Sequence, residues 1–275
     1  MARSPMRTAL AALLAVIAAL ALSACGGGGG GEDLSEGLTP QELLDRSAAA
    51  AAELETFRIA VDAEGQLDLA AAAAGPTAGL LDGPLSLSGE GPVQPPDRAS
   101  IDARIDLASF SPQVNLTRVG DEVFVGALGQ DFRLALPPEQ VALFDFGELY
   151  PALAAWMTDP AEAGREEIDG TDTVKVTGGI DAAAAFGDLG PLLGSSGAQV
   201  PPAELESALQ EGLVEAWIGT EDLRPRRVHL VLKGDGTGVV EGVGAIDLDL
   251  TATLSGFDEP VDIQAPRDAR ELDLD

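Results

Sequence analysis

From residue 57 onward the chain repeatedly sets apolar residues at every second position. In FRIAVDAEGQLDLA (57–70), Phe57, Ile59 and Val61 alternate with polar neighbours. ASIDARIDLASF (99–110) puts Ile101, Ala103, Ile105 and Leu107 on one face and Asp102, Arg104 and Asp106 on the other. AIDLDLTATLSG (245–256) sets Ile246, Leu248, Leu250 and Leu254 against Asp247, Asp249, Thr251 and Thr253. QVNLTRVGDEVFVGAL (113–128) reads as a hairpin turning at Gly120-Asp121, and QDFRLALP (130–137), with Phe132 and Leu134, follows it closely. TDTVKVTG (171–178) offers Val174 and Val176, and VEAWIGTEDLRPRRVHLVLKG (214–234) makes a second hairpin. A period of two is the side-chain period of a strand, so these segments predict an antiparallel sheet with one apolar and one wet face.

Elsewhere the period is helical. In TPQELLDRSAAAAAELE (39–55), Thr39 suits an N-cap, Pro40 the first turn and Glu42 the reciprocal position of a capping box. Leu43, Leu44, Ser47, Ala51 and Leu54 then keep one face apolar or small. Helix-like pieces also run from 137 to 158, from 179 to 194 and from 201 to 212. The segments 70–84 and 194–200 read as low-complexity connections, and there is no internal repeat. The strands on either side of the helices are alike in kind, which predicts one α+β domain. An open one-faced sheet must cover its apolar side, and these helices are the available cover.

The first 24 residues follow another pattern. MARSPMRT carries Arg3 and Arg7 and no acid, and ALAALLAVIAALAL (9–22) is uncharged. A basic start, a short apolar stretch and small residues make a secretory signal peptide, and the stretch is too short to span a bilayer. Leu22-Ser23-Ala24-Cys25 resembles the lipobox of bacterial lipoproteins. That resemblance implies cleavage before Cys25, a diacylglycerol on its sulfur and an anchor at the outer face of the cytoplasmic membrane. Two acyl chains suffice for stable anchoring where one holds marginally. Cys25 is the sole cysteine, so an intrachain disulfide is excluded. Gly26–Gly31 and the polar residues to 38 read as a flexible tether.

Charge narrows the partners. The chain carries 16 Lys and Arg against 46 Asp and Glu, a formal charge of −30 that becomes −32 when Arg3 and Arg7 leave with the signal. Nucleic acid is a poor partner for such a body, because phosphate binding needs clustered cations. Anionic headgroups repel it too, which leaves the holding to the anchor. At 45% hydrophobic residues it is no disordered acidic tail, and with 4% aromatics its core is mostly aliphatic.

Catalytic patterns are missing. His229 is the only histidine and alternates with Val228 and Leu230, which places it on the wetter strand face with Arg227 and Lys233. No second His or Cys completes a metal or catalytic set. GDGTGVVEG (234–242) offers Asp235 and Glu241 but lacks the repeated acids of a calcium loop. Neither an enzymatic activity nor a cofactor is predicted. What stands out is that six of the eleven aromatics lie between 124 and 156: Phe124, Phe132, Phe144, Phe146, Tyr150 and Trp156. They pack a helix on the sheet, or they line an apolar pocket; such pockets suit acyl chains, whose burial scales with area and needs no polar partner.

The order of parts resembles the LppX/LprG group of actinobacterial lipoproteins, within the wider class of LolA/LolB-like half-barrel lipid carriers. The resemblance rests on the lipobox, the capped first helix, EEIDGTDTVKVTGGID (166–181), VEAWIGTEDLRPRRVHLVL (214–232) and LSGFDEPVDIQAP (254–266). It implies a half-barrel over 39–266, a single strongly curved antiparallel sheet wrapped around helices with an apolar cavity, followed by an acidic tail at 267–275. It also implies binding and carriage of lipids or acylated glycolipids across the envelope, with other envelope transport proteins as partners. The candidate lining on the strands is Ile59, Val61, Ile105, Leu107, Phe124, Phe132 and Leu134. Val174 and Val176 continue it, and Phe144, Tyr150 and Trp156 come from the helical segment. The competing expectation is a scaffold lipoprotein with a filled interior, acting on another envelope protein through its acidic exterior.

Overall fold

Thr39 starts the first helix as its spacing predicts. Its hydroxyl accepts the Glu42 N–H at 3.3 Å, and the Glu42 carboxylate accepts the Thr39 N–H at 2.9 Å, closing a capping box. In the computed structural model, which describes residues 32–69, 84–107, 111–136, 141, 146–189, 208–235 and 243–272, this helix, α1, spans Pro40–Ala52. Two more helices, α2 (Phe146–Trp156) and α3 (Ala182–Leu189), accompany it. Leu34–Asp275 forms one compact unit, and Met1–Asp33 falls outside it. No helix among the described residues is long and apolar enough to cross a membrane.

The alternating segments join one open sheet. Its strands are β1 (Phe57–Leu69), β2 (Pro84–Gln94), β3 (Arg98–Leu107), β4 (Gln113–Val119), β5 (Glu122–Ala127) and β6 (Gln130–Leu134). The second half adds β7 (Met157–Ile168), β8 (Thr171–Ile180), β9 (Leu209–Gly219), β10 (Pro225–Asp235), β11 (Val243–Ser255) and β12 (Arg270–Leu272). They lie in the order β12-β6-β5-β4-β3-β2-β1-β11-β10-β9-β8-β7. Every neighbouring pair is antiparallel except β12, which runs parallel to β6.

Antiparallel order gives the sheet two rims. The turns at 95–97, 120–121, 169–170 and 220–222 share one, here called proximal, with the start of β1 and the end of β11. The β5–β6 turn shares the distal rim with the end of β3, the start of β4, the end of β10 and the start of β11. The chain enters at the proximal rim, where the Leu34 N–H donates to the Thr220 carbonyl at 2.8 Å. It returns there after α1: the Glu55 N–H donates to the Asp258 carboxylate at 3.1 Å, and the Thr56 hydroxyl to the Glu259 carbonyl at 2.6 Å.

Two packed clusters occupy the inner face. One joins Leu43 and Leu44 of α1, Tyr150, Leu153 and Trp156 of α2 and Ala185 of α3 to Val174, Val176, Val214, Ala216, Ile218, Val228 and Leu230. The other joins Leu54, Phe57 and Ile59 to Val93, Ala99, Ile101, Ala252 and Leu254. Within the second cluster β2 comes very close to β3, and a Cβ at Gly91 would collide with the Ser100 carbonyl oxygen.

Several elements differ from the sequence expectation. β2, β7 and β12 are strands that the pattern does not predict. The helix expected to 158 ends at Trp156, because Met157 already pairs with Ile180. The helix expected from 179 starts at Ala182, with the Asp181 side chain accepting the Ala184 N–H at 3.0 Å, while Ile180 is still strand. Residues 209–212, expected as helix, open β9. β12 falls in the stretch expected as an acidic tail. The expected low-complexity connection 70–84, apart from Pro84, the loop at 194–200 and the turn 236–242 lie outside the described residues.

Candidate functional site

Strand register decides which side chains share a face. Phe132 pairs with Val125, Val125 with Leu116, and Leu116 with Ile101. Across β2, Ile59 pairs with Gly91 and with Leu254. A parallel row runs from Val114 and Ala103 through Gly89 to Val61 and Ala252. Ile105, Leu87, Ala63, Leu250, Leu230 and Val214 form another. The apolar inner face is therefore continuous from β6 to β9.

Its burial is not uniform. Under the helices, Val174, Val176, Val214 and Ile218 are at most 1% exposed. Toward the distal ends of β2 to β5 and along β6 the inner side chains Leu85, Leu87, Ile105, Leu116, Val125, Phe132 and Leu134 stay half-buried, whereas Val93, Ala99, Ile101 and Val123 nearer the proximal rim are at most 7% exposed. That part of the face is an apolar surface that the helices and the second cluster cover only in part. The contrast carries no polar machinery: the one cation sharing this parity, Arg118, turns its Nε–H onto the Gly120 carbonyl at 3.2 Å by the proximal rim.

The structure divides the predicted lining. Ile59, Val61, Ile105, Phe132 and Leu134 lie on the inner face, with Ile59 itself packed at 2% exposure. Leu107 pairs with Leu85 in line with them, and its side chain lies outside the described residues. Val174, Val176, Tyr150 and Trp156 belong to the packed cluster under the helices. The Tyr150 hydroxyl donates to Ser47 Oγ at 2.8 Å, tying α2 to α1, and complete burial pushes its pKa up. Phe124 is a correction. It pairs with Thr117 and Arg133, so it points to the outer face, away from Phe132 and Leu134. Phe144 and Cys25 lie outside the described residues. The sequence reading missed Leu85, Leu87, Leu116 and Val125, of which Leu116 and Val125 alternate visibly within their hairpin.

Across β8 to β11 the outer face carries a tightly paired polar ladder. Lys175 Nζ meets Glu215 at 2.6 Å, Glu215 meets His229 Nδ1 at 3.0 Å, and His229 Nε2 meets Asp249 at 3.0 Å, linking β8 to β11. Burial by itself would raise the Glu215 pKa, but hydrogen bonds from Lys175 and His229 outweigh it and hold the carboxyl below its usual range. Trp217 lies beneath Lys175 and Arg227, whose charges are 4.6 and 5.8 Å from its ring centre, and donates its indole N–H to Glu166. His229 is thus on the expected face but half-buried and doubly bonded, to Glu215 and to Asp249. Among the described residues no group of three or more His, Cys, Asp or Glu side chains is arranged to hold a metal ion. At the distal rim an open groove of about 1010 Å³ runs along the tips of β3 to β6, lined by Arg104, Pro112, Asn115, Leu128 and Asp131 among others.

No protein-family model matches the sequence, and no curated protein does. Solved structures do. The fold is similar to that of LprF from Mycobacterium bovis, 19% identical, with 82% of this chain and 96% of that chain covered and a TM-score of 0.51. The Mycobacterium tuberculosis lipoprotein LppX matches over 82% of this chain and 98% of its own at 18% identity, with a TM-score of 0.47. A LolA superfamily protein from Nitrosomonas europaea matches over 82% and 96% at 11% identity, with a TM-score of 0.29. The single open, mostly antiparallel sheet is thus the half-barrel architecture that the sequence motifs lead one to expect.

Proposed function

We propose that this chain is an envelope lipoprotein that binds the acyl chains of a lipid against the inner face of β2 to β6 and carries them. The observation that carries the reading is the uneven burial of one continuous apolar face: packed at β8 to β10 and at the proximal ends of β2, β3 and β5, half-buried toward the distal ends of β2 to β5 and along β6. A guest's hydrocarbon laid on Leu87, Ile105, Leu116, Val125 and Phe132 gains in proportion to the apolar area removed from water, at roughly 25 cal/mol per Å². The fold shared with LprF and the sequence likeness to the LppX/LprG group support the same reading. No bond need form or break, so the chain acts without catalysis. In this reading Cys25 carries the lipid anchor and holds the body at the outer face of the cytoplasmic membrane. The lining is Ile105, Leu107, Phe132 and Leu134 from the sequence analysis, with Leu85, Leu87, Leu116 and Val125 added. Val174, Val176 and Trp156 serve instead as the packed floor that fixes the helices.

The test is to purify the protein without competing detergent, extract it and weigh what co-purifies. A lipid at near-stoichiometric amount is expected, together with saturable binding of a fluorescent fatty-acyl probe. Phe132→Asp puts a charge on that surface close to the sheet edge and weakens probe binding by about tenfold or more, the worth of one buried aromatic side chain. An empty extract with no probe binding sinks the reading.

A further inference from the structure

The stretch after β11 crosses the proximal rim as a strap, and it is fastened unequally at its two ends. At the root the bonds are dense. The Asp258 N–H donates to the Thr56 carbonyl at 2.8 Å, and the Asp258 carboxylate accepts the Arg224 guanidinium at 2.6 Å as well as the Glu55 N–H. Arg98, at the start of β3, then donates to the Ile263 carbonyl at 3.0 Å, and Ile263 is 3% exposed. At the tip, β12 is three residues long, runs parallel to β6 and has all three residues exposed. There the Ala135 N–H reaches the Leu272 carbonyl at 3.3 Å, while Arg133 reaches Glu271 and Arg270 reaches Gln130, each at 3.2 Å. Residues 264–269, between the two fastenings, are exposed or partly exposed. Parallel pairing is the weaker kind and surface ion pairs hold little, so the tip opens at far less free energy than the whole fold.

That tip borders the half-buried part of the inner face. Register sets Arg270 beside Phe132 and Leu272 beside Leu134, so both continue rows of that face. The sheet's other edge, β7, lies at the packed end, next to Val174 and Val176 of β8. With β12 in place, the row through Phe132 ends in the Arg270 guanidinium, a costly neighbour for hydrocarbon moving sideways. With β12 swung away, Phe132 and Leu134 are themselves the edge, and an acyl chain slides on or off without passing a charge. We infer that β12 is a latch on the β6 edge, and that a bound lipid enters and leaves by that edge when the latch swings open about residues 264–269. This rests on the carrier reading above and adds to it the port and the part that moves. Glu271 pairs with Arg133, which shares the outer face with Phe124, so the latch is fastened on the side that the lipid does not touch.

The experiment uses the full chain carrying Cys25→Ser, so that no native thiol interferes. Arg133→Cys with Glu271→Cys puts two thiols on register partners of neighbouring strands, within reach of a disulfide. Uptake and release rates of a fluorescent fatty-acyl probe are read, together with its equilibrium affinity, in the oxidised and the reduced protein. Oxidation is expected to slow uptake and release together by about tenfold or more, because it removes the local opening through which both run. Affinity stays unchanged, and reduction restores both rates. Glu271→Lys sets a like charge beside Arg133 and is expected to speed both rates about threefold, the worth of a surface ion pair turned repulsive. Equal rates in the oxidised and reduced protein overturn the latch. A shift in affinity with an unchanged uptake rate overturns it too, since β12 would then be lining and not a gate. Should the cross-link not form, Glu271→Lys decides: faster exchange at unchanged affinity upholds the latch, and parent-like exchange overturns it. If neither parent nor variant binds probe, the carrier reading fails and the latch falls with it, whereas intact binding at equal rates sinks the latch alone.

Discussion

At the scale of single residues the sharpest consequence concerns pH. The Glu215 carboxyl is held below its ordinary 4.5 by Lys175 and His229 despite its burial. A carboxyl whose folded pKa is depressed adds stability that is fully present above its unfolded value and is lost as pH falls through the folded one. Thermal melting followed from pH 6 to pH 3 should therefore show the parent losing more stability below about pH 4.5 than Glu215→Gln. Equal slopes would show that the ladder does not couple protonation to folding. The same scale shows where the sequence could not speak. In EVFVGA, Val123, Phe124 and Val125 are all apolar, so alternation does not say which face Phe124 takes; its register against Thr117 and Arg133 does. His229 was legible in its face but not in its partners, which sit 14 and 20 residues away.

At the scale of elements, legibility follows the strength of the local signal. α1 carries its start in four residues, Thr39 to Glu42, and the structure closes both hydrogen bonds of the box. Thr39→Ala removes one acceptor from an otherwise orphan N–H and should cost about 1 kcal/mol in chemical denaturation; Thr39→Ser should cost far less. β1, β3 and β11 were legible because one face meets apolar residues and the other water. β2 was not, because two of its inward places are Gly89 and Gly91, which carry no hydropathy yet fit where β3 crowds in. β7 was hidden for the opposite reason: it is an edge strand whose stretch from Ala161 to Glu167 is exposed, so no period of two appears. Its register shifts and the positive φ at Asp159 and Gly164 roughen that edge and discourage further strand pairing.

For the whole molecule the governing fact is an apolar face longer than its helical cover. Truncating a side chain under the helices leaves a cavity, whereas truncating one on the half-buried side mostly trims exposed surface. Val176→Ala should thus cost about 2 kcal/mol of unfolding free energy, against well under about 1 kcal/mol for Val125→Ala. Saturating acyl probe should raise the melting temperature of the parent by mass action, and by less in Val125→Ala. Similar costs at both positions would mean that the two halves are equally packed. The candidate site as a whole was half legible. Alternation named its apolar residues, but only strand order and packing separated those buried under the helices from those left half-buried.

The hydrogen bond from Leu34 to Thr220 has a mechanical reading. It fixes the point from which any leash to Cys25 departs, and nine residues of chain stretch to at most about 32 Å. The sheet between its rims is longer, about 43 Å for the thirteen residues of β1. Under the proposed acyl anchor at Cys25, a body so leashed would lay the far end of β1 on the same bilayer only when tilted.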